Sequence, residues 1–156
     1  MSDEAAVVTA AKQLLTKDEA ALVLEIGLRE KAIDVDPAAA DDPNLQVVYD
    51  STHMGLLDDI KSLGLRIMSR WNKELYGLVC PAKSPTGNDE AKKLRDKLLG
   101  ALNLGEAALI AAVVPGLMFL GAPAAIAAAV APVIVKKFII PTKDELCDAW
   151  GEAMQA

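Results

Sequence analysis

Hydrophobic and polar positions alternate with helical spacing along most of this chain. Val8, Ala11 and Leu15 recur at three- and four-residue intervals after Ser2, Asp3 and Glu4, a polar start that suits the free amides and positive end of a helix. Thr16-Lys17-Asp18-Glu19 reads as a capping box leading into Leu22, Val23, Ile26 and Ile33, which predicts a break or kink near Thr16 and a second helix to about Ile33. Asp34–Asn44, with two prolines and four aspartates, reads as a loop. It lacks the central Gly and terminal Glu of a Ca²⁺ loop, so no metal is assigned to it. The clearest stripe follows, from Leu45 to Cys80: Tyr49, Leu56, Ile60, Leu63, Ile67, Trp71, Leu75 and Leu78, with His53 on its edge. It predicts a long amphipathic helix, interrupted near Gly55 or Gly64, with Arg66, Arg70 and Lys73 on the opposite, polar side.

Pro81–Asn88 is the best internal boundary, a loop from which Asn88 caps a basic helix carrying Lys92, Lys93, Arg95 and Lys97. Beyond Glu106 the character changes. Ala107–Val135 is 29 residues without a charge, hydroxyl or side-chain amide: 11 Ala, 13 larger apolar residues, 3 Pro and 2 Gly. A helix apolar all round must be buried on every side, by lipid or by protein. Gly121-Ala122-Pro123 is the expected turn, giving two helices, about 102–120 and 123–140, with Pro115 and Pro132 working against helix continuity. Leu109, Ile110, Val113, Leu117, Phe119, Ile126, Val130 and Ile134 are their large apolar positions. In composition this run, about a fifth of the chain, resembles the hydrophobic hairpin of pore-forming colicins, which is soluble until it inserts; no motif accompanies the likeness. Lys136 and Lys137 close the run, so basic clusters flank it on both sides, as suits a hairpin with both ends on one side of a membrane. After Pro141, Thr142-Lys143-Asp144-Glu145 caps a terminal helix with Leu146, Trp150 and Met154 on one face, expected to dock through Trp150.

The expected architecture is therefore all-α: a small helical bundle with an Ala-rich hydrophobic hairpin near its C-terminus. Its parts are an amphipathic region (1–80), a loop (81–88), a basic helix leading into the hairpin (89–140) and a terminal helix (141–156). Composition agrees, since aromatic residues are only 4% and Ala, the best helix former, is abundant. Net charge is −6 but unevenly placed: residues 1–60 hold 4 basic and 13 acidic side chains, residues 61–97 hold 9 and 4. The acidic total argues against nucleic acid as a partner. The basic middle suits anionic lipid, an acidic protein or the chain's own acidic N-terminal region. Trp71 and Tyr76 beside Arg70 and Lys73 read either as core or as an interfacial anchor.

Chemistry is sparse. No nucleophile elbow, Walker loop or dinucleotide fingerprint occurs, and the single histidine, His53, has no triad partner. Neither an enzymatic activity nor a cofactor is expected. Cys80 and Cys147 form no framework and no CxxC, and are expected to be reduced and buried. With no leader-like segment at Met1–Ala11, the expected location is the cytoplasmic side of an inner membrane, or the cytoplasm. The leading expectation is a non-enzymatic, membrane-inserting protein acting as a homo-oligomer (a pore, channel or membrane-acting effector). The alternative is an adaptor that buries the hairpin as core and binds a protein through the 45–80 helix.

Overall fold

A computed structural model describes residues 4–47, 57–80, 89–142 and 146–155, and it is all-α. Helix α1 spans Glu4–Leu14 and buries its small side, Val7, Ala10 and Ala11. Helix α2, Glu19–Val35, starts where Asp18 accepts the Ala21 amide at 2.8 Å. The predicted break is present, but its cap is Asp18; the Thr16 hydroxyl donates instead to the Gln13 carbonyl at 3.2 Å. A 3₁₀ turn, Pro37–Asp41, follows, with Asp36 capping the Ala38 amide at 3.2 Å.

Helix α3, Leu57–Val79, lies along α2. Two glycines make the crossing close. A methyl group on Gly27 would overlap the Ile60 carbonyl oxygen, and one on Gly64 the Val23 carbonyl oxygen. Gly64 is thus a contact point inside an unbroken helix and does not interrupt it. The expected long helix is shorter at its N-terminal end, because Leu45–Val47 are not helical. Tyr49, His53, Gly55, Leu56 and the Pro81–Asn88 loop lie outside the described residues.

Helix α4, Asp89–Ala101, returns through a four-residue turn into α5, Glu106–Phe119. The first apolar helix therefore begins at Glu106, later than the predicted Leu102, because Gly105 adopts φ 102° and sets the start of α5. At the other end of α5 the chain turns at Gly121, also at φ 102°, with Gly121 N–H donating to Met118 O and Ala122 N–H to Leu117 O, both at 3.0 Å. This is a Schellman closure, which favours a residue without a Cβ. Pro123 then caps α6, Ala124–Ile134, which continues as a π turn, Val135–Ile139, and a single α turn, α7, Ile140–Thr142. Both interior prolines are carried within helices, Pro115 in α5 and Pro132 in α6. Each removes a backbone donor, and burial outweighs the local preference for a break. Helix α8, Leu146–Gln155, closes the bundle against α3.

The core sits around α6, every residue of which is buried. Helices α1, α2, α3 and α5 pack on it, and α4 covers α5. One hydrophobic cluster runs from Val7 to Trp150, so the amphipathic helices and the uncharged run share a single core.

Candidate functional site

The candidate site is the α5–α6 hairpin and the sheath that holds it. Leu109, Ile110, Val113, Pro115, Leu117, Ile126, Val130, Pro132 and Ile134 are all buried, and Pro123 is half-buried. Phe119 stands apart at 43% exposed. It lies on the tip formed by Met118 to Pro123, where Gly121 is also exposed and Leu120 half-buried. The tip carries no polar side chain, although water-facing turns ordinarily do.

Helix α6 has no polar side chain of its own, and α2 and the α1–α2 connection hold the segment at both ends. At its start, Arg29 of α2, 3% exposed, donates from Nη1 to the Ala125 carbonyl at 2.8 Å and to the Pro43 carbonyl at 2.9 Å. Its Nε meets Glu25 Oε2 at 2.9 Å, and Glu25 Oε1 accepts Lys17 Nζ at 3.0 Å. A buried guanidinium paired with carboxylate and carbonyls avoids the cost of an uncompensated buried charge. At the far end, Lys136 Nζ donates to the carbonyls of Leu15 and, at 2.9 Å, Lys17, while Lys137 pairs with Glu19 at 3.0 Å. The π turn sets these two lysines onto the α1–α2 connection.

The third clasp joins α8 to α3. Trp150, fully buried, donates from Nε1 to Asn72 Oδ1 at 2.8 Å. Tyr76 donates its hydroxyl to the Cys147 carbonyl at 3.2 Å and meets Trp150 edge to face at 5.4 Å between centroids. Beside them Cys80 and Cys147 form a disulfide, with Cα atoms 5.6 Å apart. The expectation of reduced cysteines is overturned. Sequence spacing could not pair residues 67 positions apart; only the antiparallel docking of α8 on α3 brings them together.

The predicted basic face divides. Arg66, Arg70 and Lys73 on α3 and Lys92 and Lys93 on α4 are exposed, as expected of such a face. Lys136 and Lys137 serve the clasp instead, and Arg95 is half-buried, its Nε donating to the Leu78 carbonyl at 3.2 Å and its Nη2 buried with no partner among the described residues. Trp71 lies in the core, 7% exposed, with the Arg70 guanidinium 4.6 Å above its ring, as the core reading of this residue expects. Tyr76 is likewise engaged with α8. Glu30 on α2 titrates above the usual carboxylate range, first because burial disfavours its charge and then because Asp34 repels it; Arg70 acts in the opposite direction.

A groove of about 340 Å³ opens at the base of the hairpin, lined by Leu102, Asn103, Gly105, Glu106, Leu109 and Ile140. Leu104 beside it is 73% exposed. Among the described residues no three His, Cys, Asp or Glu side chains converge as metal ligands would, and no helix is long and apolar enough to cross a membrane. No protein-family model, curated protein or solved structure matches the chain.

Proposed function

We propose that this is a non-enzymatic, membrane-acting protein that keeps an apolar hairpin covered by its own helices and delivers it, tip first, into a bilayer. The observation that carries the reading is the tip. Burial accounts for the apolarity of α6, but it does not account for an uncharged, partly exposed turn bearing Phe119. A bilayer surface does account for it, because an aromatic side chain there moves out of water as the tip enters.

Charge supports the same reading. The Leu78 carbonyl accepts from Arg95 of α4, and the Leu78 side chain lies 3.5 Å from where a Cβ on Gly116 of α5 would sit, so the last turn of α3 meets both helices. Helix α4, which precedes α5 and packs on it, exposes Lys92 and Lys93. Exposed cations on the helix packed against the hairpin suit an anionic lipid surface. Helix α5 is 14 residues, about 21 Å at 1.5 Å per residue, against a hydrocarbon core of ~30 Å. The hairpin as folded therefore reaches into the bilayer from one face. Once uncovered, the alanines of α6 allow close packing of copies, which favours a homo-oligomer.

Vesicle flotation tests the proposal, run with the disulfide intact and again after reduction. The wild type is expected to float on phosphatidylglycerol-containing vesicles in at least one state, and Phe119→Asp in neither while keeping its helical content. Wild type that stays in the aqueous fraction in both states contradicts the reading. The enclosure of the hairpin also suits the adaptor reading, with α3 presenting Leu65 at 44% exposed beside Arg66. On that reading no vesicle binding occurs and Phe119→Asp changes nothing.

A further inference from the structure

We propose that the Cys80–Cys147 disulfide is a redox latch on the sheath, opened by a dithiol reductant to let the hairpin leave. The inference rests on the membrane-acting reading above. The chain leaves α3 at Cys80, runs through α4, α5, the tip, α6 and α7, and returns at Cys147. The bond therefore ties the chain that follows the C-terminal root of the hairpin back to the end of α3. It also holds α8, which packs on α3 and on the π turn carrying Lys136 and Lys137. While the bond is closed, α8 cannot peel from α3, and the C-terminal root of the hairpin stays in place. What remains after reduction is the Trp150–Asn72 bond, the Tyr76–Cys147 carbonyl bond and the apolar contact of α8.

Access favours attack on one sulfur. Cys147 is half-buried, whereas Cys80, directly after α3, is 9% exposed. A thiolate of the reductant attacks the Sγ of Cys147, and Cys80 departs as the thiolate. The second thiol of the reductant then resolves the mixed disulfide. The reductant is oxidised to its own disulfide by two electrons, and Cys80 and Cys147 end as thiols with one proton each. Such a bond persists in an oxidising compartment and opens on meeting a reducing one, so the latch ties hairpin release to a change of compartment.

Two measurements test the latch, with dithiothreitol as the reductant. In flotation with phosphatidylglycerol vesicles, reduction is expected to raise the bound fraction about tenfold or more, and a Cys80→Ser, Cys147→Ser double variant to float without reductant. In vesicle-free buffer, reduction is expected to speed tryptic cleavage after Lys136 and Lys137. Equal flotation of oxidised and reduced protein, with Phe119→Asp failing in both, overturns the latch and leaves the membrane reading standing. No flotation in either state overturns both. Unchanged cleavage at the two lysines overturns the latch whatever the vesicles show, and needs no variant to fold.

Discussion

Arg29 gathers four separate parts of the chain at one guanidinium: its own helix through Glu25, the post-3₁₀ segment through Pro43, the hairpin through Ala125, and, by way of Glu25, Lys17. Arg29→Met is expected to cost about 3–5 kcal/mol in urea unfolding, because it leaves the Glu25 carboxylate buried with only Lys17 beside it. Replacing Glu25 and Arg29 together by apolar residues is expected to cost less than the single change. Glu30 makes a prediction of opposite sign. Its native pKa lies above the ordinary value, so in that window the folded protein binds more protons than the unfolded chain. Its contribution to stability accordingly falls as pH rises through the window. Glu30→Gln is expected to stabilise the protein at neutral pH and to flatten the decline; a variant as pH-sensitive as the wild type there would contradict the assignment. At this scale the sequence was partly legible. The i,i+4 spacing of Glu25 and Arg29 among Leu22 and Ile26 places a charged pair on an apolar face, a signal that the reading of the stripe passed over. Which carbonyls that pair would satisfy depends on residues 96 positions away, and no local pattern encodes it.

Between elements, the α2–α3 crossing depends on two missing side chains. Gly64→Ala is expected to force a methyl group against the Val23 carbonyl, and backbone cannot yield as a side-chain end can. Overpacking of a core ordinarily costs about 1–3 kcal/mol, and this substitution belongs at or above the upper end. Denaturant unfolding checks it; a loss under half that range would show the two helices separating freely. The sequence marked Gly64 as an interruption because glycine weakens a helix locally, whereas the structure uses it for approach. The prolines fared better. Local steric rules set Pro115 and Pro132 against helix continuity, yet the helices predicted over about 102–120 and 123–140 run through them, as α5 and α6 do under packing on all sides. The turn at Gly121 was legible because φ 102° needs the residue type that the sequence supplies.

At the scale of the molecule, the uncharged run and the charged helices form one core, with the run inside. Fold class and hairpin were readable from periodicity, since a stretch apolar on every side has to be enclosed. What encloses it was not readable: the sheath is made by α1, α2 and α3 together, and the disulfide that fastens it joins distant residues. That bond closes a loop of 67 residues, for which chain entropy gives about 4 kcal/mol of stabilisation. Reduction is expected to lower the unfolding free energy by about 2–4 kcal/mol, read as a lower urea midpoint with dithiothreitol than without. An unchanged midpoint would mean that the closed loop contributes nothing to holding the bundle together. A cross-link of this kind persists in an oxidising compartment, in contrast to the reduced cysteines that spacing alone led one to expect.

Amide hydrogen exchange of the reduced protein on phosphatidylglycerol vesicles addresses the exchange of sheath for lipid most directly. The account predicts that amides of α1 and α2 exchange faster on vesicles than in buffer, as they lose the hairpin, while residues 107–135 stay protected by lipid. An exchange pattern identical with and without vesicles, in protein that floats with them, would contradict it.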